Sequence, residues 1–155
     1  LANDSAHARQ RLQHALDSGA AADRFARMVQ ALGGPSDLLE QPQRYLPAAP
    51  VVVPVLAPHA GWVGAMQTRA IGLQVIELGG GRRKASDAID HRVGFDAIVG
   101  VGQRVEAGDI LVRVHAADRA SAEAAAQAWL QLVTLQDAPC AAHVPLIEAI
   151  EGVMP

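Results

Sequence analysis

Residues 102–114 read Gly-Gln-Arg-Val-Glu-Ala-Gly-Asp-Ile-Leu-Val-Arg-Val, the most strongly patterned stretch of the chain. Its glycines, Gly102 and Gly108, supply the positive φ that tight turns demand. Apolar side chains then alternate along a strand and should share one face, at Ile110, Val112 and Val114. The stretch therefore predicts a turn, a short strand, a second turn and a longer strand.

Two β-rich runs precede this stretch, at residues 51–56 and 62–66. Pro54 lacks a backbone donor, so the first run is predicted to lie at a sheet edge or beside a bulge. The intervening Pro58-His59-Ala60-Gly61 is typical of a turn. The two runs are therefore predicted to form a hairpin.

Residues 4–32 have helical periodicity, with Gly19 separating two helices or kinking one. Gly33-Gly34-Pro35 should end the second helix. Residues 36–50 contain three prolines and predict a short turn of helix within a connecting loop. We expect residues 1–35 to be a helical lead-in and residues 36–155 to be the main domain.

Two further helices are predicted. Thr68 is a plausible N-cap for a helix that Gly79-Gly80-Gly81 ends. The last long helix should begin after Asp118 or Ser121. Its apolar face is predicted to comprise Ala122, Ala125, Ala126, Trp129, Leu130 and Val133.

Residues 88–95 alternate, with Ile89, His91, Val93 and Phe95 on one face, and predict another strand. A short final strand is predicted over residues 144–150. Together these elements indicate an α+β fold, with antiparallel strands packed as a sandwich of the barrel-sandwich-hybrid kind.

The composition is that of an ordered globular chain: 155 residues, half of them apolar and 19% charged. A net charge of −3 makes nucleic acid or an anionic membrane a poor partner. The single cysteine, Cys140, allows no internal disulfide and fits a reducing compartment. We expect a cytoplasmic protein. Because the chain starts without Met, within a helical pattern, we also expect a segment of a longer polypeptide.

The strongest candidate for chemistry is the glycine-arginine loop, Gly79-Gly80-Gly81-Arg82-Arg83-Lys84. Its backbone N–H groups and cations could hold a phosphate. However, the glycines follow a helix, whereas a phosphate cradle usually precedes one, and the P-loop pattern is absent. A helix stop followed by a solvated or interdomain loop is the preferred interpretation.

Other catalytic patterns are missing from the sequence. The six histidines form no metal-ligand spacing, so no metal site is predicted. Neither Ser86 nor Ser121 lies in a nucleophile motif, and Cys140 lies in a proline-flanked tail. We therefore assign no catalytic residue to this chain.

The glycine-strand pattern resembles the two halves of biotinyl and lipoyl carrier domains. Such carriers attach their cofactor to a lysine at a hairpin tip, a position that here would follow Val114. That stretch reads His115-Ala116-Ala117-Asp118, and Lys84 is the only lysine in the chain. The missing lysine thus argues against a carrier function, but it does not argue against a carrier-like architecture. A stand-alone interaction module without catalytic activity is the other alternative function.

Several strings together resemble the C-terminal portion of the thymidine/pyrimidine-nucleoside phosphorylase family, over nearly the whole chain up to about Leu135. They are Asp17-Ser18-Gly19, Phe25-Ala26-Arg27-Met28-Val29, Gly34-Pro35-Ser36-Asp37, Tyr45-Leu46-Pro47, Thr68-Arg69-Ala70-Ile71-Gly72, Gly79-Gly80-Gly81-Arg82-Arg83, Ala85-Ser86-Asp87, Ile89-Asp90 and Val93-Gly94-Phe95.

This resemblance implies phosphorolysis of a pyrimidine nucleoside such as thymidine, without an organic cofactor, by a homodimer. It also implies that residues 1–35 end the central α/β domain of a parent enzyme. The family's residues for phosphate and base lie upstream, in a missing N-terminal part. This segment is therefore expected to be structural and inactive alone, with the glycine-arginine loop contacting the rest of the enzyme.

Overall fold

The computed structural model describes residues 2–140, so the predicted strand at 144–150 lies outside the described residues. These residues divide into two compact units, the first ending at Ala48 and the second beginning at Ala49. The division falls inside the predicted connecting segment, downstream of the boundary expected after residue 35. How the units correspond to domains of a parent enzyme stays a prediction.

The first unit is helical, as predicted. It contains α1 (Ser5–Asp17), α2 (Ala20–Ala31) and the short α3 (Pro42–Tyr45). Asp4 caps α1 with its side chain. Gly19, at φ 78°, takes the left-handed conformation between α1 and α2. The predicted break at Gly19 is therefore confirmed, and it separates two helices.

The second unit is α+β, as predicted, with two three-stranded antiparallel sheets in the orders β1-β5-β3 and β4-β2-β6. The described residues form no closed barrel. Its elements are β1 (Val51–Leu56), β2 (Gly61–Met66), α4 (Thr68–Glu77), β3 (Gly94–Asp96), β4 (Arg104–Val105), β5 (Ile110–Ala116), α5 (Arg119–Leu130) and β6 (Val133–Gln136).

The predicted hairpin of β1 and β2 is wrong, because the two strands belong to different sheets. Strand β1 pairs along its length with β5, from Val51 opposite Ala116 to Leu56 opposite Ile110. The turn after β1 therefore carries the chain from one sheet to the other. Pro54 does lie on an edge strand, as predicted, which is where sheets tolerate proline.

The predicted strand at 88–95 is wrong except for its end, since only Gly94–Asp96 is a strand. The reason is local: the Asp90 carboxylate accepts the backbone N–H of Arg92 at 3.0 Å. This bond forms an Asx-type turn, which competes with extended backbone.

The glycine-rich stretch folds as predicted into turn, β4, turn and β5, with Gly102 at φ 86° and Gly108 at φ 89°. One detail differs: Ile110 is exposed, whereas Leu111 is buried beside Val112. The β1–β5 register shifts at this point, which places an extra β5 residue in the ladder. Such a bulge interrupts the alternation of side chains.

The caps of α4 and α5 differ in how well the sequence predicts them. Helix α4 is capped by Gln67, with no side-chain hydrogen bond, so Thr68 is not the N-cap but the first helical residue. Asp118 caps α5 as predicted, accepting the Ser121 N–H at 2.8 Å. Val133 was placed on the α5 face but belongs to β6, because the helix ends at Leu130 and the chain then pairs with β2.

One hydrophobic cluster draws on both sheets and on α5. It includes Val63 of β2, Val105 of β4, Val112 and Val114 of β5, and Trp129 of α5, all at most 2% exposed. Helix α5 packs against β1 and β5. Among residues 2–140 no helix is long and apolar enough to cross a membrane.

Replacing Trp129 with Ala should lower the free energy of unfolding by about 3–5 kcal/mol, since it removes the largest fully buried side chain and leaves a cavity. Leu73→Ala is the control, because Leu73 is 53% exposed and should change stability by less than about 0.5 kcal/mol. Urea unfolding monitored by circular dichroism measures both, and equal effects would contradict this description of the core.

Candidate functional site

The glycine-arginine loop begins where α4 ends. Gly79 lies at φ 95° and donates its N–H to the Ile76 carbonyl at 3.0 Å, while Gly80 donates to the Val75 carbonyl at 2.8 Å. These two bonds are those of a Schellman motif, which satisfies the last carbonyls of a helix. The predicted helix stop is confirmed.

The second glycine is required by close approach to the helix it follows. A Cβ atom on Gly80 would lie 2.8 Å from Val75 Cγ1 and 3.2 Å from the Val75 carbonyl oxygen. Gly80 therefore lets the chain fold back along α4. The glycines here serve the packing of the helix end.

Asp87 holds the cationic half of the loop in place. Its Oδ2 accepts the backbone N–H groups of Arg83 at 3.0 Å and Lys84 at 2.9 Å, and its own N–H donates to the Lys84 carbonyl at 3.1 Å. Arg82 adds a bond from Nε to the Asp87 carbonyl at 3.2 Å. A carboxylate of the same chain thus occupies backbone donors that a phosphate would need.

The three cations of the loop are exposed and differ in their partners. Arg83 forms an ion pair with Glu77 at the end of α4, with both side chains more than 60% exposed. Lys84 forms no ion pair within residues 2–140. The structure therefore brings residues 79–84 together as an ordered, basic surface loop.

A second ionic contact fixes the segment that follows the loop. Asp90 donates its N–H to the Gly79 carbonyl at 2.9 Å. Its carboxylate accepts from the Arg92 guanidinium at two positions, each 2.8 Å away. These hydrogen bonds, with one from the Arg92 backbone, lower the pKa of Asp90 to about 2.

A polar cluster that the sequence did not reveal lies on the sheet of β1, β5 and β3. Arg113 donates to both carboxylate oxygens of Asp96, at 2.8 and 3.1 Å, and His115 Nε2 lies 3.2 Å from Asp96 Oδ1. The Arg113 guanidinium, assisted by His115, holds the pKa of Asp96 below its usual range. The only sequence signal is that Arg113 and His115 are two residues apart on a strand, because their partner is set by strand pairing.

The other candidate groups are engaged in structural contacts. The Ser121 hydroxyl donates to the Asp118 carboxylate at 2.9 Å, and the Cys140 thiol donates to the Val63 carbonyl at 3.3 Å. Within residues 2–140 no three metal-ligating side chains converge. The Ser121 hydroxyl and the Cys140 thiol thus make structural hydrogen bonds.

The position that a carrier domain reserves for its lysine is also accounted for. Strand β5 ends at Ala116, and Asp118 then caps α5. The chain therefore enters a helix where a carrier would have a hairpin tip, and Lys84 lies in the loop after α4.

Part of the second unit is similar to a known protein family. Residues 62–136 match the family model described as the pyrimidine nucleoside phosphorylase C-terminal domain. The chain is 59% identical over 128 residues to a thymidine phosphorylase of Burkholderia orbicola, a match that covers 83% of this chain and 29% of that protein. It is 60% identical over 128 residues to one of Burkholderia cenocepacia and 58% identical over 122 residues to one of Burkholderia lata.

The Asp90–Arg92 contact predicts that the stability of the folded chain depends on pH. Since the folded-state pKa is about 2 and the usual value is 3.8, the unfolded chain binds more protons between these values. The stabilising contribution of Asp90 is therefore present above about pH 4 and is lost as the pH falls toward 2. Carboxyl NMR titration should show the Asp90 midpoint rising toward 3.8 in Arg92→Ala. An unchanged midpoint would contradict the contact, and Arg104→Ala is the control.

Proposed function

Since residues 62–136 are a pyrimidine nucleoside phosphorylase C-terminal domain, we propose that the chain is the C-terminal portion of a thymidine phosphorylase. Such an enzyme converts thymidine and phosphate to thymine and 2-deoxyribose 1-phosphate. The observation that carries the proposal is 58–60% identity to thymidine phosphorylases over about four-fifths of the chain. The chain spans only about 29% of the length of these relatives. Its proposed partner is therefore the preceding part of the same polypeptide, and phosphate and thymidine are bound by the whole enzyme.

Within that enzyme the chain acts as a support. In phosphorolysis a phosphate oxygen bonds to the sugar C1′ while the bond from C1′ to the base nitrogen breaks, and the electron pair leaves with the base. This reaction depends on holding phosphate and nucleoside in line, with water excluded. Rigid walls serve that purpose, and the packed cluster around Trp129 supplies rigidity.

The finer parts of the proposal concern architecture and assembly. Residues 1–35 end the central α/β domain of the parent enzyme, and residues 36–155 form the C-terminal domain. The two sheets pack as a barrel-sandwich-hybrid-like sandwich, which the shared hydrophobic cluster supports. The full-length enzyme is a pentosyltransferase of the cytoplasm, acts as a homodimer and needs no organic cofactor.

The glycine-arginine loop is the proposed contact with the rest of the enzyme. Arg82 and Arg83 are exposed, and Asp87 holds both: its carboxylate accepts the backbone N–H of Arg83 and its carbonyl accepts Nε of Arg82. An ordered backbone that presents cations suits a lasting contact, because little conformational entropy is lost on docking.

A carrier or a stand-alone interaction module is less well supported. A carrier lacks its lysine, and a module without a catalytic parent would leave the similarity to thymidine phosphorylases unexplained.

Thymine release tests the proposed function directly. A full-length polypeptide containing this segment should release thymine from thymidine only when phosphate is present, and the 155-residue chain should release none. Release by the chain alone would overturn the structural role. Phosphate-independent release, or none by the full-length protein, would overturn the assignment to thymidine phosphorylase.

Replacing Arg82 and Arg83 with Ala in the full-length enzyme tests the loop. We expect kcat/KM to fall by roughly tenfold, which corresponds to a loss of about 1.4 kcal/mol of transition-state stabilisation. Arg119→Ala is the matched control, because Arg119 is also exposed and also paired with a glutamate, Glu123. Unchanged kinetic constants and stability in the double variant would contradict the proposed contact.

A further inference from the structure

A cavity of about 160 Å³ opens beside the hydrophobic cluster of the second unit, which we call the sheet unit. Leu111 is 1% exposed and belongs to the cluster, whereas Leu130, at the end of α5, is 38% exposed. The described lining comprises Pro58, His59, Leu111, Leu130, Val133 and Leu135. We call this space the Leu111 cavity. Apolar surface next to the core therefore faces solvent, which is unfavourable.

The size and chemistry of the Leu111 cavity indicate what kind of occupant fits. Its described walls are aliphatic except for Pro58 and His59, and the Nδ1 atom of His59 lies 3.0 Å from the Ala60 carbonyl oxygen. Pockets for small molecules and cofactors usually have volumes of about 300–1,000 Å³. The Leu111 cavity is smaller than that, so it suits an aliphatic side chain better than a free ligand.

Strand β6 forms the side on which the cavity is open. It supplies Val133 and Leu135 and lies at the edge of its sheet. Among residues 2–140, no strand pairs with the outer side of β6. Proteins commonly cover such edges with another part of the chain. A segment lying along β6 would cover the edge and the cavity together.

The chain itself continues from a point close to this cavity. The Cys140 thiol donates to the Val63 carbonyl at 3.3 Å, and Val63 lies opposite Leu135 in the pairing of β2 with β6. Paired strands are about 4.8 Å apart. An extended chain spans at most about 3.3–3.6 Å per residue, so Leu146, six residues after Cys140, has a reach of roughly 20 Å. The residues after Cys140 are therefore long enough to reach the cavity.

The sequence after Cys140 contains aliphatic side chains at a suitable distance. Residues 144–147 read Val-Pro-Leu-Ile, and we call them the tail segment. The first carboxylate after Cys140 is that of Glu148, and residues 141–155 contain no lysine or arginine. A segment tethered in this way has an effective concentration in the millimolar range, which favours it over a separate molecule.

We propose that the tail segment docks on the Leu111 cavity and inserts the Leu146 side chain between Leu130 of α5 and Leu135 of β6. This inference goes beyond the proposed function, because it concerns how the chain closes its own core and does not depend on the reaction. It makes the open side of β6 an intramolecular docking surface.

Nuclear Overhauser effects between methyl groups test the proposal in the unaltered 155-residue chain. The Leu146 methyl groups should give cross-peaks to those of Leu130 and Leu135, because such effects arise only between groups that are close in space. Leu73 is the internal control, since it is 53% exposed on α4 and should give no cross-peak to Leu146. A sample mixed from labelled and unlabelled chains separates contacts within one chain from contacts between two copies.

A pair of variants provides the second measurement. Leu146→Glu should accelerate amide hydrogen exchange in β6 by roughly tenfold, because the segment covering the strand would detach. Met154→Glu is the matched control, since it adds the same charge outside the tail segment and should leave this exchange unchanged. Three outcomes would overturn the inference: no cross-peaks from Leu146 to Leu130 or Leu135, cross-peaks only between different copies, or equal exchange rates in the two variants.

Discussion

The pairing of β5 with β1 on one side and β3 on the other is the interaction on which the sheet unit depends. Strand β5 places Val112, Val114 and Ala116 in the core, all completely buried, and α5 covers β1 and β5 with Trp129. Antiparallel pairing satisfies the backbone while the inward side chains meet the helix. The glycine turns before β5 and the Asp118 cap after it fix where the strand begins and ends.

Features set by neighbouring residues could be predicted from the sequence. The turns at Gly102 and Gly108, the stop at Gly79 and the cap at Asp118 each depend on atoms a few residues apart. Pairing between distant strands could not be predicted, because it is decided by which apolar faces fit together. The hairpin was wrong for this reason, and β6 was missed because its four residues have no clear pattern of their own.

The same distinction applies to the candidate site. A glycine run after a helix and before three cations predicted a helix stop, which is what the structure has. The role of Asp87 could not be predicted, since its carboxylate turns back to the N–H groups of Arg83 and Lys84. The Asp96, Arg113 and His115 cluster joins two strands that are separated by a turn, β4 and a second turn, and it depends on their register. Both arrangements connect surface segments of the sheet unit through hydrogen bonds to a carboxylate.

The central claim is that this chain supports a reaction whose substrates bind elsewhere in the same polypeptide. Isothermal titration calorimetry of the purified chain with thymidine in the presence of phosphate tests it most directly. The account predicts no saturable heat for the chain alone and saturable binding by the full-length polypeptide at the same concentrations. Saturable, phosphate-dependent binding of thymidine to the 155-residue chain would contradict it.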